Sequence, residues 1–545
     1  MRYESPLLVN AHRGFSVTYN GKTLLSTVDP IRQAERAAER SLPLKDRTLY
    51  FCPSPLLGYG LAILLDNLPP ASAVICVEAD KALAKLSNEN IKIPSGEKIR
   101  VIHSEDAMQL CDFVNQTWGR RFFRRVEEIR LGGGRQLWTE KYDDMLETLR
   151  RAIAIDWSNA MTLTRLGRLY MRNAVKNLPL LGSAESVEKI DFGHRNVFVA
   201  GAGPSLDEAV FHLGSCLKGE NRCPVICVDT ALPPLMAHGI IPDIVVALEA
   251  QHWNLRDFVG INGKKPSLAM DFSSLPAVKR CFNESVYIFW TEWTPLRFFC
   301  RLKERNLLPL ELPALGSVGL SAVYLALRLT KGKILSAGID FSFTIDKYHC
   351  KESPGYKENM RRTNRFVSPL PFAPSFRKGV SPAISKSGGS VRTDPAMKNY
   401  RSLFEEEFAA TGRVFDMEGS GLTLGLTTLP YSYALQLLEA TDPTKPENGT
   451  SKTEPPMDKA QVLRTFIKDE IAHLSELRGI LTKEITAPPD RLNFLLDELD
   501  YLWAHFPDCA GAGGRRPSPE NTGFLKRVRA EIDPFLRLFT RTANA

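Results

Sequence analysis

The sequence predicts an α/β protein in three parts. These are a Rossmann-like N-terminal domain, a doubly wound and mostly parallel sheet in a central domain, and an all-α C-terminal bundle. Three observations carry that prediction. Short uninterrupted apolar runs recur in the centre: Val197 to Ala200 (VFVA), Val225 to Val228 (VICV), Ile244 to Leu248 (IVVAL), Val286 to Phe289 (VYIF), Ile334 to Ala337 (ILSA) and Val414 to Met417, mostly with helical stretches between them. Strands that are apolar throughout, alternating with helices, fit a parallel sheet covered on both faces. An earlier strand–turn–helix–strand run and a late stretch of helical periodicity supply the flanking parts.

Composition narrows the class. With 545 residues, 43% of them apolar and 24% charged, the chain is too apolar for disorder and long enough for about three or four domains. Seventy Lys and Arg face 62 Asp and Glu, a net charge of +8. So small a surplus gives little support for a nucleic-acid partner, and an anionic small ligand suits it as well. The ten cysteines include no CxxC pair and have no His-rich partner segment, so no zinc spacing exists. Cys76 and Cys227 sit in apolar runs and read as reduced structural thiols. No cluster of carboxylates requires a metal. The first residues, MRYESPLLVNAHRGF, lack the blocks of a signal peptide, and no run approaches the ~18 apolar residues of a membrane span. A cytoplasmic protein is expected.

The N-terminal domain is placed at 1–138. Leu49 to Cys52 (LYFC), the turn PSPLLGYG, the helix LAILLDNL and Val74 to Val77 (VICV) with Glu78 and Asp80 follow a βαβ plan. Only Gly58 and Gly60 stand in the turn, and Pro53 and Pro55 remove two donors a phosphate would want, so a structural, non-binding domain is expected. A helical connector, 139–195, carries Leu146, Leu149, Ile153, Leu163, Leu166 and Leu169 at helical spacing. Its Asn173 and Asn177 lie one turn apart on one face, and polar capping of a helix end near Pro179 would account for them. The catalytic domain is placed at 196–440. A linker, 441–456, has no apolar residue, and Asn448 in its NGT reads as an incidental sequon. The bundle, 457–545, shows Leu492, Leu495, Leu496, Leu499, Leu502, Trp503 and Leu525, Val528, Ile532, Phe535, Leu536, Phe539, with a weaker run from Val462 to Leu481.

The chemistry concentrates in the centre. VFVAGAGPSLDEAV runs a strand into a glycine turn and a helix. Gly201 and Gly203 let a ligand approach the main chain, Pro204 suits a first helical turn, and Ser205 offers a hydroxyl beside free N–H groups. That is the composition of a phosphate seat, and equally of a plain strand-to-helix turn, since the P-loop lysine and the third dinucleotide glycine are missing. Asp229 ends the next strand, Glu249 and Gln251 close the one after, and Asn254 follows. Gly316, Ser317 and Gly319 precede a second helix, and Gly338 and Asp340 end a further strand. Strand ends of this kind on one edge of a parallel sheet make a crevice. Lys351 to Arg392 is long and basic, with Arg361, Arg362, Arg365, Arg377 and Lys378, and reads either as a binding segment or as a solvated face.

GAGPSLD, VDTALPPLMAHGIIPDIVVALEAQ, GSVGLSAVYLAL and SAGIDFSF with His349 resemble the motif series of the motility accessory factor family, the bacterial flagellin glycosyltransferases. RLYMRNAVKNLPLL resembles that family's Asn-rich helix, and LLGYG with VICVEAD its degenerate first domain, so the resemblance runs from about Val9 to Leu429. It implies transfer of a nonulosonic acid, of pseudaminic or legionaminic type, from a CMP-activated donor to Ser or Thr of flagellin. The core resembles bacterial sialyltransferases, whose GNGPSL turn binds CMP. Gly201, Gly203, Pro204 and Ser205 match it with Ala202 in place of asparagine, and Glu249 stands where the family has aspartate. On this reading no cofactor is tightly bound. Phosphate charge is met by the helix N-termini at Gly203 to Ser205 and at Ser317. His349 is the base and Tyr348 assists the leaving phosphate, or the two are a loop histidine and a packing ring. Asp340 orients a hydroxyl or caps a turn. Two alternatives stand beside it: a hydroxymethylpterin pyrophosphokinase, because an archaeal pterin enzyme family is similar over the GAGPS core, and a non-catalytic flagellin-binding factor.

Overall fold

The computed structural model describes residues 5–91, 98–219, 221–260, 266–282, 285–366, 370–439, 458–511 and 515–544. The expected linker, 441–456, and Asn448 lie outside them. Contacts divide the chain into two units, residues 1–168 with 502–525, and residues 169–501 with 526–545.

In the first unit, β1 (Thr48–Pro53), β2 (Ala73–Glu78), β3 (Ile99–His103) and β4 (Arg125–Glu128) form a parallel sheet in the order β3-β2-β1-β4. Alternation decides the packing. Leu49, Phe51, Ile75 and Val77 pack with Tyr142, Leu146 and Leu149 on one face, while Tyr50, Cys52, Val74 and Cys76 pack with Ala34, Leu61 and Leu64 on the other. The crevice at the β1 end is filled by the protein itself. Leu56 N donates to Glu78 Oε1 at 3.0 Å, Gly133 N donates to Leu24 O at 2.7 Å, and Gly134 packs so tightly on Ser54 that a Cβ would overlap its hydroxyl. Burial pushes Glu78 up to about 7.

One helix, α1 (Thr139–Ser183), continues through Pro179. Its last part belongs to the second unit, where β5 (Val197–Ala200), β6 (Val225–Val228), β7 (Ile244–Ala247), β8 (Ser267–Asp271), β9 (Val286–Thr291), β10 (Leu310–Leu312), β11 (Ile334–Ala337), β12 (Val414–Met417) and β13 (Thr428–Leu429) lie in the order β10-β9-β8-β7-β6-β5-β11-β12-β13. All neighbours are parallel, and a two-residue strand, Glu185–Ser186, adds to β9. This is the doubly wound sheet that the apolar runs predict. β8, β10 and β13 were not legible because Ser267–Asp271 mixes polar with apolar residues and the other two are very short. The chain winds outward from β5 to β10 and then returns to the opposite side of β5 with β11, so the winding reverses between β5 and β11.

The C-terminal helices are not a separate body. α6 (Lys459–Leu481), α7 (Pro489–Glu498) and most of α8 (Thr522–Ala543) are counted with the central sheet, and 502–525 with the first unit. Within the second unit these helices pack onto α3 (Arg297–Glu304): Phe298 meets the rings of Phe466, Tyr501 and Phe539, and Arg301 pairs with buried Glu470 and, at 2.7 Å, with Glu498. All ten cysteines are free thiols. Among the described residues no helix is long and apolar enough to cross a membrane.

Candidate functional site

Parallel α/β sheets bind ligands where the winding reverses, at the carboxyl ends of the strands. A cavity of about 260 Å³ lies there, lined by Gly201 to Gly203 after β5, Val228 and Thr230 after β6, Gly338 to Ser342 after β11, and Ser317 to Gly319, Tyr348, His349, Asp394 and Tyr400.

The glycine turn packs against the loop after β11. Gly201 N donates to Ala337 O at 2.8 Å and Gly203 N to Gly338 O at 2.7 Å. A Cβ on Gly201 would lie 2.3 Å from Gly338 O, and one on Gly203 would lie 2.4 Å from Asp340 Oδ2. These glycines therefore let the β5 and β11 loops touch. Pro204 precedes α2 (Ser205–Leu213), whose cap is Asp340. Ser205 N donates to Asp340 Oδ2 at 2.8 Å, Ser205 Oγ donates to Oδ1, and Gly338 N donates to Ser205 Oγ at 3.0 Å. At Gly203 to Ser205, where a phosphate seat is expected, a carboxylate of the protein, Asp340, thus meets the Ser205 N–H and hydroxyl, and Asp340 also lines the cavity. Burial raises the Asp340 pKa against the pull of Lys386 and Ser205. Lys386 holds Asp416 with both oxygens at 2.7 and 2.8 Å, and burial pushes Asp416 up to about 6.

The second helix N-terminus is open. Gly316 takes φ +73° and packs on the Tyr400 ring, where a Cβ would come within 2.8 Å of Cε1. Ser317 then starts the twelve-residue α4 (Val318–Leu329) without capping it by its side chain. Ser317, Val318 and Gly319 line the cavity. Uncapped N–H groups and the positive end of the helix dipole at a cavity wall suit an anion.

His349 Nδ1 lies 3.3 Å from Ala202 O, which also accepts from Cys350 N at 2.9 Å. A carbonyl only accepts, so Nδ1 carries the proton and Nε2 keeps its lone pair. Burial lowers the His349 pKa to about 4, with a smaller push from the charge of Arg256. At neutral pH the ring is an unprotonated base. Tyr348 packs edge-on to His349 with ring centroids 4.9 Å apart, and the Arg377 guanidinium stands 5.4 Å from its centroid. Burial, then Asp394, raises the Tyr348 pKa, which keeps its hydroxyl protonated.

Seven predicted ligand contacts sit outside the cavity wall: Pro204, Ser205 and Gly316, described above, and Asp229, Glu249, Gln251 and Asn254. Asp229 is buried behind Thr230. It accepts from Thr230 N at 2.8 Å and from Asn254 Nδ2 at 2.7 Å, and burial followed by Asp257 pushes it up to about 6. Asn254 faces these two carboxylates. Glu249 is exposed and accepts from Gln251 N at 2.8 Å, and neither residue lines the cavity. Asn173 and Asn177 do not cap a helix end. Asn173 Nδ2 donates to Ala250 O and Ser273 O at 3.0 and 3.2 Å, and Asn177 Nδ2 donates to Phe272 O and Ser274 O at 3.0 Å each, so they pin the loops after β7 and β8.

Sequence reasoning missed Thr230, Asp394 and Tyr400. Asp394 caps α5 (Pro395–Phe408) by accepting from Met397 N at 2.9 Å, and Asp-Pro is a readable helix start. Its place at the cavity is set by a hairpin, Ser381–Ile384 with Ser390–Thr393, that no local pattern announces. Among the described residues no group of three or more His, Cys, Asp or Glu is placed to hold a metal.

Residues 170–346 match the family described as 6-hydroxymethylpterin diphosphokinase MptE-like. An uncharacterized protein of Treponema pallidum (strain Nichols) is 28% identical over 565 aligned positions, covering 99% of this chain and 96% of that protein. Among solved structures, the MAf glycosyltransferase from Magnetospirillum magneticum AMB-1 superposes with a TM-score of 0.57 at 16% identity, over 99% of this chain and 92% of that one. The chain therefore shares the fold of that MAf glycosyltransferase, and its residues 170–346 are similar to the MptE-like family.

Proposed function

We propose that this chain is a cytoplasmic glycosyltransferase that moves a nonulosonic acid from a CMP-activated donor to a Ser or Thr hydroxyl of flagellin. The observation that carries the reading is one cavity at the winding reversal that pairs an uncapped helix N-terminus, Ser317 to Gly319, with a neutral, Nδ1-anchored His349. The donor's phosphate rests on the α4 N-terminus. As the bond from the anomeric carbon to the phosphate oxygen breaks, its electron pair leaves with CMP, and Tyr348, still protonated, donates to the departing oxygen. The acceptor oxygen then bonds the anomeric carbon and gives its proton to His349 Nε2. No cofactor enters, and the step is stabilised by charge and position.

The matched family's description favours a second reading, in which the same cavity serves diphosphate transfer to a hydroxymethylpterin. Calorimetry with CMP, CTP and ATP–Mg²⁺, with and without 6-hydroxymethylpterin, separates the two. Cytidine-selective binding is expected, whereas ATP selectivity strengthened by the pterin replaces the transferase reading. Cytidine binding with no transfer to any acceptor would instead leave a binding factor.

A further inference from the structure

The segment from Lys351 to Arg392 holds nine Lys and Arg against two Asp and Glu, so seven of the chain's eight net positive charges lie in it. Some are neutralised locally: Lys357 pairs with Glu352 at 2.7 Å, Arg362 with Glu358 at 2.6 Å, and Lys386 with Asp416. Arg361, Arg365, Arg377 and Lys378 are exposed and have no carboxylate partner among the described residues. Beside them two rings face water, Phe366 at 82% and Phe376 at 76% exposure, and the Arg365 guanidinium stands 4.5 Å from the Phe366 centroid.

The surface adjoins the cavity at Tyr348. Arg377 lies over Tyr348, and Gly355, in the helix Pro354–Arg362, lies against Arg256, whose charge reaches His349. We propose that this surface docks the acceptor, and that its occupant is an acidic polypeptide segment with apolar side chains beside the modified hydroxyl. Charge complementarity selects the sign of the partner, and unpaired arginines among exposed aromatic rings are the composition of protein-interface hot spots. The proposal rests on the transferase reading only for what the docked segment receives.

The test uses the full chain and three fluorescent probes: an acidic peptide with Phe, Leu and Ser, a basic peptide of matched apolar content, and a single-stranded oligonucleotide. Anisotropy is read for the wild type, for Arg361→Glu/Arg365→Glu/Lys378→Glu and for Phe366→Ser/Phe376→Ser, with CMP affinity measured in parallel as the check on folding. The acidic peptide is expected to bind, to weaken with salt, and to lose about tenfold in affinity in each variant while CMP affinity holds. Equal binding of the basic peptide, unchanged binding in both variants, or tighter binding of the oligonucleotide overturns the proposal. Peptide binding without any sugar transfer retains the docking surface and removes the transferase reading.

Discussion

His349 owes its form to a backbone atom. Ala202 O fixes the proton on Nδ1, and burial keeps the ring neutral well below its usual titration range. Because the anchor is a backbone carbonyl, it does not depend on the side chain at position 202. In the proposed transfer His349 acts unprotonated, so transfer rates are expected to hold down to mildly acid pH and to fall only as the pH drops through about 4. An acid limb near the free-histidine value in a kcat/KM profile contradicts the burial shown. His349→Ala lowers kcat by ~100-fold or more with CMP affinity unchanged, as rapid-quench and calorimetric measurements can check. Asp340 has a structural task. Asp340→Ala leaves Ser205 N and Oγ without their buried acceptor and costs about 2–4 kcal/mol in urea unfolding, whereas Asp340→Asn keeps an acceptor and loses less.

At the scale of elements, three helix N-termini face one crevice, and among the described residues only that of α4 is open, since Asp394 caps α5. α2 is closed by Asp340, and α4 is uncapped. Ser317→Asp places a negative charge in the proposed seat and lowers CMP affinity by more than about tenfold, while Ser205→Ala lowers stability and leaves CMP affinity within about twofold. The opposite ranking in calorimetry moves the seat back to the glycine turn. The sequence displayed the α2 and α4 termini through Gly, Pro and Ser, and it displayed six of the central strands through their apolar runs. It could not display which terminus is capped, because the cap, Asp340, lies far along the chain from the Ser205 it satisfies. Glu249 and Gln251 were singled out for standing at a strand end, yet they bond to each other at the surface. Asn173 and Asn177 were visible as a pair, but their partners are carbonyls of loops about a hundred residues away, which no local pattern encodes.

Across the molecule, helical periodicity revealed the C-terminal helices but not what they pack against. Three aromatic contacts on Phe298 and the ion pair of Arg301 with Glu470 join them to the central unit. Arg301→Met strands a buried carboxylate and lowers stability by about 3–5 kcal/mol, and Arg301→Met/Glu470→Met recovers most of that loss in chemical unfolding. The net charge of +8 also takes a location at this scale, since most of it falls within residues 351–392, whose Arg377 lies over Tyr348. In the proposed reaction one crevice of this fold moves a CMP-activated sugar onto a protein hydroxyl. The measurement closest to it is the intact mass of flagellin incubated with CMP-nonulosonic acid and the full chain. A mass gain of one sugar residue is predicted with the wild type and none with His349→Ala. Unmodified flagellin with the wild type, or equal modification by the histidine variant, contradicts the account.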